Sequence, residues 1–369
     1  MGRARTRAYE LAQQLGDVPL LCEALLFLAN NHHHRGELRL ARDLGERAVH
    51  LAEGLEEPLP TTMHILLAGI LITCGDFSGA CAHLEPQIAA YLEPEPHPAG
   101  VRDLCPRRFL SRTTSVSWCL GYPDRALRVG RAALAVAHAV QDEYNILLVL
   151  CFGICFPHQL RREVGAVERA LRELWPLVRK EASIPVFRPF AILYQGWVHA
   201  QTERLEQGIA ELRQGLVEWS ACDVVLRPHW RGYLAEALAR AGRVEEGLRT
   251  LEEALEQVER TGERFNEAEL HRLKGELLLQ QNAPEAEVQA EACFQQAISV
   301  ARGQEARSWE LRTTMSLARL WLGRGQREEA RQMLAAIYGW FTEGFDTPDL
   351  MEARALLEQL SADQAKAAV

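Results

Sequence analysis

Apolar positions along the chain recur at spacings of three and four residues, and short polar turns interrupt the pattern at regular distances. Leu311, Leu317 and Leu320 follow this spacing before a turn near residue 325, and Met333 and Leu334 resume it afterwards. No stretch of the chain shows sustained alternation of apolar and polar residues. The pattern therefore predicts amphipathic helices arranged in pairs, and no β-sheet.

The turns divide the chain into units, and a small side chain follows each turn after about five residues. Glycine, which readily adopts the left-handed backbone that ends a helix, occupies several of these turns. They are Gly36, Gly75, Gly121, Gly242 and Gly325. The small side chain lets a neighbouring helix approach closely. These small residues lie about 40 positions apart and are Ala41, Ala80, Ala126, Ala166, Gly208, Gly247, Ala290 and Ala330. The repeat predicts an all-α, right-handed α-solenoid of about eight helix pairs.

We expect this solenoid to form a single domain over residues 1–360. Residues 1–20 look like the second helix of a pair whose first helix is missing, which suggests a start inside a longer gene product. The prolines within residues 85–100 predict an irregular connection. Residues 338–360 predict a C-terminal cap: Thr347 is the N-cap, Pro348 opens the last helix, and Phe341 and Phe345 fold over the preceding one. Residues 361–369 predict a flexible tail.

Composition narrows the function more than the fold. A net charge of -9 argues against a nucleic-acid-binding protein, which needs a basic face. The longest apolar runs, Met63–Cys74 and Ile146–Phe156, are shorter than the roughly 20 residues that span a bilayer, so we expect no membrane segment. The 9 cysteines are scattered without a C-x-x-C pair. This scatter favours reduced thiols and a cytoplasmic location.

Two clusters could carry chemistry. His32, His33 and His34 are consecutive and point about 100° apart on a helix, whereas metal sites on helices use i, i+4 spacing. We interpret them as a polar run that faces solvent or a ligand groove, and we predict no metal. Cys151 and Cys155 lie within an apolar run and are interpreted as buried thiols rather than a redox pair. No G-x-S-x-G, H-E-x-x-H or phosphate-loop motif occurs. We therefore expect no catalytic residues, no cofactor and no enzymatic activity.

The small-residue pattern is similar to that of tetratricopeptide repeats, although its period is longer than the usual 34 or so residues. Three strings near the C-terminus, Ala268–Leu279, Glu291–Ala297 and Tyr338–Leu350, resemble the repeat region of bacterial multidomain signal-transduction ATPases of the AAA/STAND type. The ATPase in that family often follows a class III adenylate/guanylate cyclase domain or a DNA-binding domain. The resemblance is strong over about residues 265–360 and architectural before that. It implies a repeat array that binds an inducer or partner and controls the ATPase.

Candidate binding residues follow if the first helix of each pair lines the concave face of the solenoid. Counting back from each turn places these candidates at Asn30, His33, His34, Glu236, Arg240, Arg272, Glu276, Arg312 and Arg319. Most tryptophans are expected to be wedges between helices, but Trp197 and Trp230 are candidates for the groove. Mixed charges with few aromatic residues favour a protein or peptide partner over a small apolar ligand.

The sequence thus predicts a protein-interaction and sensor module, the regulatory C-terminal part of a bacterial signalling ATPase or cyclase-type regulator. Its partner would be a protein, a peptide or an inducer, including the ATPase or cyclase domains of the same parent chain. A free-standing adaptor built from tetratricopeptide-like repeats is the alternative.

Overall fold

The computed structural model describes residues 2–53, 61–92, 105–180, 186–220, 225–281 and 283–362. All regular structure within these ranges is helical. The helices in chain order are α1 (Gly2–Leu15), α2 (Val18–His34), α3 (Leu38–Ala52), α4 (Thr61–Thr73), α5 (Phe77–Leu92), α6 (Cys105–Cys119), α7 (Pro123–Ala139), α8 (Glu143–Val149), α9 (Phe156–Leu160), α10 (Val164–Lys180), α11 (Phe187–Ala200), α12 (Leu205–Ser220), α13 (Arg227–Arg240), α14 (Val244–Thr261), α15 (Glu267–Gln280), α16 (Ala286–Gly303), α17 (Arg307–Gly323), α18 (Arg327–Tyr338) and α19 (Pro348–Ala362).

The helices pair as the repeat predicts, and the solenoid is confirmed. The first helices of the eight pairs are α2, α4, α6, the rod formed by α8 and α9, α11, α13, α15 and α17. A π-helical turn, Leu150–Cys155, joins α8 to α9. Helix α1 precedes the first pair and packs on α2, and α19 follows the last pair and packs on α17 and α18.

Glycine ends the first helix of five pairs, as predicted. The φ angles of Gly36, Gly75, Gly121, Gly242 and Gly325 lie between 73° and 91°. In the fourth pair Arg162 adopts this backbone, with φ 62°. The buried contact in α10 therefore falls five residues later, on Val167, and the predicted small residue, Ala166, is only half-buried. The prediction of Ala166 is off by one residue because the turn was placed one residue too early.

The predicted close approach of helices is clearest at Gly208 in α12. A Cβ atom at this position would lie 2.3 Å from the backbone nitrogen of Ala200 and 2.6 Å from the carbonyl oxygen of Gly196, both on α11. Any side chain at residue 208 would push the two helices apart. The small residue at this point of the repeat is thus a packing requirement.

The array curves so far that its late pairs return to its early ones. The backbone N–H of Arg264, between α14 and α15, donates to the carbonyl oxygen of Thr73 at 2.8 Å. The Ser308 hydroxyl donates to the carbonyl oxygen of Trp118 at 2.5 Å, and the N–H of Gly344 donates to Asp124 at 2.9 Å. These contacts, termed here the ring closure, join residues about 190 or more positions apart. The inner helices therefore pack on one another across the centre, and the expected open groove is filled.

The C-terminal segment belongs to this closure and also packs on the last pair. Thr347 and Pro348 begin α19 as predicted, and the Thr347 hydroxyl accepts the N–H of Leu350 at 3.4 Å. Phe341 is buried, and the ring of Phe345, although 51% exposed, lies 6.0 Å from that of Tyr338 on α18. The Trp340 ring lies 5.5 Å from that of Tyr122, at the turn between α6 and α7.

Two expectations concern the apolar and proline-rich stretches. Helix α5 contains Pro86 and continues to Leu92, so part of the predicted irregular connection is helical. The rest of that connection, and the predicted tail after residue 362, lie outside the described residues.

The stretch Glu143–Leu160 is long and apolar enough to cross a membrane, yet 72% of it is buried inside the array, and core helices pass the same test. Cys151 and Cys155 within it are buried and unbridged, as predicted, and burial raises the pKa of both thiols.

Candidate functional site

The inner helices line a partly open cavity of about 280 Å³, termed here the inner cavity. Its walls come from early and middle pairs, and Phe265 from the loop before α15 completes them. The cavity is just smaller than the range of roughly 300–1,000 Å³ that ligand pockets usually occupy. It therefore has room for a small molecule or one large side chain.

One wall of the inner cavity carries the polar groups. These groups lie on α2, α4 and α6, and they are Asn30, His33, His34, Thr73, Arg112 and Ser115. Their helices are the first members of three consecutive pairs, so stacking of the pairs brings them side by side. The repeat thus builds one polar patch from residues about 80 positions apart.

The opposite wall is aromatic. It is formed by α8, α9, α11 and α12 together with the loops before α13 and α15. Its rings are Tyr144, Phe152, Phe156, Phe187, Phe190, Trp219 and Phe265. The Phe190 ring centre lies 4.8 Å from that of Phe152 and 4.5 Å from that of Trp219. Such spacing is typical of favourable ring pairs, so the aromatic wall is a packed surface that keeps its shape.

His33 is a neutral member of the polar wall. Its Nε2 lies 2.8 Å from the Thr73 hydroxyl, which itself donates to the carbonyl oxygen of Gly69 at 2.9 Å. Because the hydroxyl proton is used in that way, His33 Nε2 must carry the proton of their shared hydrogen bond. Burial holds the pKa of His33 well below its usual value, and the charges of His34 and Arg112 lower it further. His33 is therefore uncharged at neutral pH.

Arg112 is the cation of the polar wall. Its guanidinium lies against α4 where that helix has no side chain: a Cβ atom on Gly69 would be 0.9 Å from Arg112 Nη1. The same Nη1 lies 3.4 Å from the carbonyl oxygen of Ile65. Gly69 thus provides the space that the guanidinium occupies, and the two residues form one unit.

Among the candidate residues predicted from the sequence, three lie together on the polar wall. Asn30 and His33 are half-buried and buried, respectively, and His34 is exposed. The rings of His33 and His34 are 5.1 Å apart, whereas His32 points elsewhere and contacts Glu37. Among the described residues, no group of three or more histidine, cysteine, aspartate or glutamate side chains is arranged to hold a metal ion.

A second set of candidates forms a charged network on α13, α15 and α17. Arg272 pairs with Glu276 at 3.4 Å, and the Ser316 hydroxyl donates to Glu276 at 2.5 Å. Burial raises the pKa of Glu236, and the nearby guanidinium of Arg272 opposes that effect. The structure brings these residues together, and their charges mainly pair with each other.

Arg312 extends this network to the ring closure. Its Nε donates to Asp349 of α19 at 2.8 Å, and its Nη2 donates to the carbonyl oxygen of Leu160 at the end of α9. The guanidinium carbon lies 4.9 Å and 5.2 Å from the ring centres of Trp118 and Trp309. Arg312 is therefore an internal tie between distant pairs, not an exposed binding residue. Arg319, two turns further along α17, is exposed and pairs with Glu352 at 3.3 Å.

The remaining three candidates lie away from the inner cavity. Trp197 and Trp230 are 2% and 0% exposed, so the prediction that they line a groove is wrong; both are buried packing wedges. Tryptophan at a regular helical position cannot be assigned to groove or core from the sequence alone. Arg240 is exposed, and its Nη1 donates to the carbonyl oxygen of Ala200 at 2.6 Å.

Sequence reasoning missed Arg112 and the aromatic wall. A signal for Arg112 was present, because Gly69 interrupts an otherwise apolar helix and such a glycine usually marks a close approach. The phenylalanines gave no such signal. Their spacing is that of ordinary core residues, and only the curvature of the array turns them towards a common cavity.

Comparisons with known proteins address the fold. No protein-family model matches the chain, and no curated protein matches it in sequence. Among solved structures, a Rap protein complexed with competence and sporulation factor has a TM-score of 0.57 at 11% identity, covering 94% of this chain and 98% of that one. This chain is a tetratricopeptide-type helical-repeat solenoid. The Cut9 and Hcn1 hetero-tetramer of APC/C has a TM-score of 0.55 at 12% identity, with 96% and 59% covered. IFIT1 with m7Gppp-AAAA has a TM-score of 0.53 at 14% identity, with 93% and 74% covered.

Proposed function

We propose that this solenoid is a sensor and interaction module in which a small molecule in the inner cavity controls the ring closure. One observation carries the proposal. Thr73 lines the inner cavity, and its carbonyl oxygen accepts the closure hydrogen bond from Arg264; the next residue, Phe265, lines the cavity from the other side. A ligand in the cavity would therefore touch one partner of this closure contact, Thr73, and the residue that follows the other partner.

The size of the inner cavity supports a small ligand there rather than a protein segment. A helix with its side chains is about 10–12 Å wide, far more than a cavity of about 280 Å³ accepts. The sequence had favoured a protein or peptide partner in an open groove. In the proposal the small molecule occupies the interior, and the protein partner contacts the outer surface, where it distinguishes the ligand-bound from the ligand-free closure.

The proposed role is binding and regulation, without catalysis by this chain and without a cofactor. We propose further that the module acts in the cytoplasm of a bacterium and controls a signal-transduction ATPase or cyclase-type regulator. The support is the resemblance of residues 265–360 to the repeat region of such regulators. This context predicts a G-x-x-x-x-G-K-[ST] phosphate loop in the same polypeptide. Sequencing the full-length transcript tests it, and a complete transcript without that motif would favour the free-standing adaptor.

The sensing role predicts that a natural small molecule stabilises the folded chain through the inner cavity. Small-molecule extracts of the source cells would be fractionated, and each fraction tested for its effect on the unfolding temperature. A ligand that binds the native state alone stabilises it in proportion to its occupancy. The key variant is Leu148→Trp, which adds volume at a half-buried wall residue. The matched control is Leu40→Trp, at an exposed position on α3.

We expect at least one fraction to raise the unfolding temperature of the wild type and of Leu40→Trp by a few degrees, and to leave Leu148→Trp unchanged. Hydrogen exchange of the Arg264 amide should slow in the same fraction. If every stabilising fraction acted equally on both tryptophan variants, the inner cavity would not be the sensing site.

A further inference from the structure

A second cavity, of about 480 Å³, lies between α7 and α10 and is termed here the outer cleft. Helices α7 and α10 are the second helices of the third and fourth pairs, which face outwards. The turn between α9 and α10 completes the cleft together with Asp346, from the loop between α18 and α19. That loop belongs to the ring closure, because the N–H of Gly344 donates to Asp124 of α7 at 2.9 Å. The outer cleft therefore has walls on both sides of the ring closure.

Acidic side chains of this loop already contact arginines at the outer cleft. Glu343 lies 3.6 Å from the guanidinium of Arg128 and accepts the backbone N–H of Arg125 at 2.8 Å. Asp346 is 81% exposed and lies 3.7 Å from the guanidinium of Arg161. One edge of the cleft thus already takes carboxylates from an irregular stretch of polypeptide.

The buried cation of the outer cleft is compensated within the protein. Arg161 is 3% exposed and pairs with Asp124 at 3.1 Å and with Glu163 at 2.8 Å. Glu163 also contacts His158. These lining carboxylates are used by Arg161 and His158, so they do not neutralise the other arginines of the cleft.

Two of those arginines, Arg131 on α7 and Arg169 on α10, are exposed. Within the part of the chain that the structure describes, neither of them pairs with a carboxylate. The guanidinium of Arg169 lies beside the first turn of α10, where its Nη1 would be 3.6 Å from a Cβ atom on Gly165. The N-terminus of a helix carries a partial positive charge. An anion at this place would therefore be attracted by the guanidinium and by the helix together.

We infer that the outer cleft docks an acidic peptide segment of the partner protein, with carboxylates on Arg131 and Arg169. The planar guanidinium offers parallel N–H groups that match the two oxygens of a carboxylate. The inference rests on the proposal that a protein partner contacts the outer surface, and it adds the place and the chemistry of that contact. Because the segment would lie beside the loop as well as on α7 and α10, it would touch both sides of the ring closure.

The surroundings of the outer cleft favour a short acidic segment over a nucleic acid. The chain has a net charge of -9, and Asp124, Glu163 and Asp346 line the same cleft as the arginines. A nucleic acid carries charge along its whole length and needs a basic face that extends beyond one cleft. A peptide can place a few carboxylates on the arginines and neutral residues elsewhere.

The test uses three probes that carry the same fluorescent dye: a peptide of consecutive glutamates, the same peptide with glutamines in their place, and an oligothymidylate of equal length. Their affinities for the full chain would be measured by fluorescence anisotropy at low ionic strength. We expect the glutamate peptide to bind about tenfold or more tightly than either of the others, because charge-assisted hydrogen bonds are the stronger ones.

Variants locate the binding. Arg131→Gln combined with Arg169→Gln removes two exposed charges, and we expect the affinity for the glutamate peptide to fall about tenfold. The matched control is Arg47→Gln combined with Arg213→Gln, which removes the same charge from exposed positions on α3 and α12 and should change the affinity less than about twofold. Asp346→Asn removes an exposed carboxylate from the cleft, so it should raise the affinity about twofold.

Equal binding of the glutamate and glutamine peptides, or no binding of any probe, would overturn the inference. An affinity for the glutamate peptide that survives in the variant of Arg131 and Arg169 would do so as well, and tighter binding of the oligothymidylate would indicate a nucleic-acid site instead. The proposed sensing function fails separately, because these affinities are measured without a ligand in the inner cavity. If the glutamate peptide binds the outer cleft and no extract fraction acts through the inner cavity, the docking surface stands and the sensing role is wrong.

Discussion

Single buried histidines make the stability of this protein depend on pH. His229 on α13 lies between the rings of Phe156 and Tyr233, each about 5.0 Å away, and its Nε2 is 3.4 Å from Gln159 Oε1. Burial lowers the pKa of His229 from 6.5 to about 3. Burial lowers the pKa of His33 as well. His229 is therefore neutral in the folded protein until the pH approaches 3, and His33 is neutral at pH 7.

Because burial lowers the pKa of His229 in the folded protein, the free energy of unfolding falls as the solution becomes more acidic. Below pH 6.5 the unfolded chain takes up a proton at residue 229 that the folded chain does not bind until about pH 3, so stability is lost as the pH falls through this window. We expect His229 to contribute about 2 kcal/mol of this loss between pH 7 and pH 5. Urea unfolding of wild type and His229→Gln measures it, since the variant cannot titrate there.

The difference in stability between wild type and His229→Gln should therefore shrink as the pH falls from 7 to 5. His50→Gln, at an exposed histidine on α3, is the control for removing a histidine side chain. A difference between wild type and His229→Gln that stayed constant over this range would mean that His229 binds its proton equally well in the folded and unfolded states.

At the scale of the elements, six pairs have a left-handed residue among the described residues between their two helices. Gly242 has φ 75°, and a Cβ atom there would touch nothing within 4 Å, so only the backbone geometry requires glycine. Other left-handed positions are occupied by residues with side chains. Gln141, between α7 and α8, is exposed and has φ 54°. Substitutions at Gly242 and Gln141 therefore mainly change the strain of the backbone and have little effect on side-chain packing.

Substitutions at these positions should change stability in opposite directions. Gly242→Ala should lower the free energy of unfolding by about 1 kcal/mol, because alanine is strained in the left-handed region. Gln141→Gly should raise it by about 0.5 kcal/mol, the relief of that strain minus the larger entropy of glycine in the unfolded chain. Chemical denaturation of both variants is the measurement. A stabilised Gly242→Ala would show that the turn can change its backbone without cost.

The elements were also the scale at which the sequence was most informative. The five glycine turns and the small residues after them, such as Ala41 and Gly247, could be located because they depend on contacts within one pair. The return of α17 to α6 could not, since the curvature of the array accumulates from small rotations at every junction between pairs. The same reason explains the candidate site: Asn30 and His33 were found on their helix, while Arg112 and the aromatic wall depend on where the neighbouring pairs lie.

At the scale of the whole molecule, the ring closure depends on buried charge. The Arg312 guanidinium and the Asp349 carboxylate are each 8% exposed and lie 2.7 Å apart. The guanidinium holds the pKa of Asp349 below its usual value, against the effect of burial, which raises it. This pair connects α17 with α19, and Arg312 also reaches the end of α9 through Leu160. Charge is thus used here to fix how distant pairs meet.

Breaking this pair should open the molecule. Arg312→Met leaves the carboxylate of Asp349 buried without Arg312, and we expect a loss of about 3–5 kcal/mol in unfolding free energy together with a larger radius of gyration in small-angle X-ray scattering. Arg319→Met removes an exposed ion pair between the same two helices, α17 and α19, and should cost less than about 1 kcal/mol and leave the radius of gyration unchanged.

The double variant Arg312→Met with Asp349→Leu should regain much of the lost stability, because no buried charge is left without a partner. If the single variant lost stability but scattered X-rays like the wild type, the pair would stabilise its own helices without holding the distant ones together.

Linear repeat proteins can gain or lose units because each unit touches only its neighbours, and their unfolding can proceed unit by unit. Here the hydrogen bonds between Thr73 and Arg264 and between Trp118 and Ser308 make the second and third pairs direct neighbours of the seventh and eighth. Insertion or deletion of one whole unit would shift every such bond out of register. The number of units in this protein is therefore fixed by its geometry, and the chain should melt as one cooperative body.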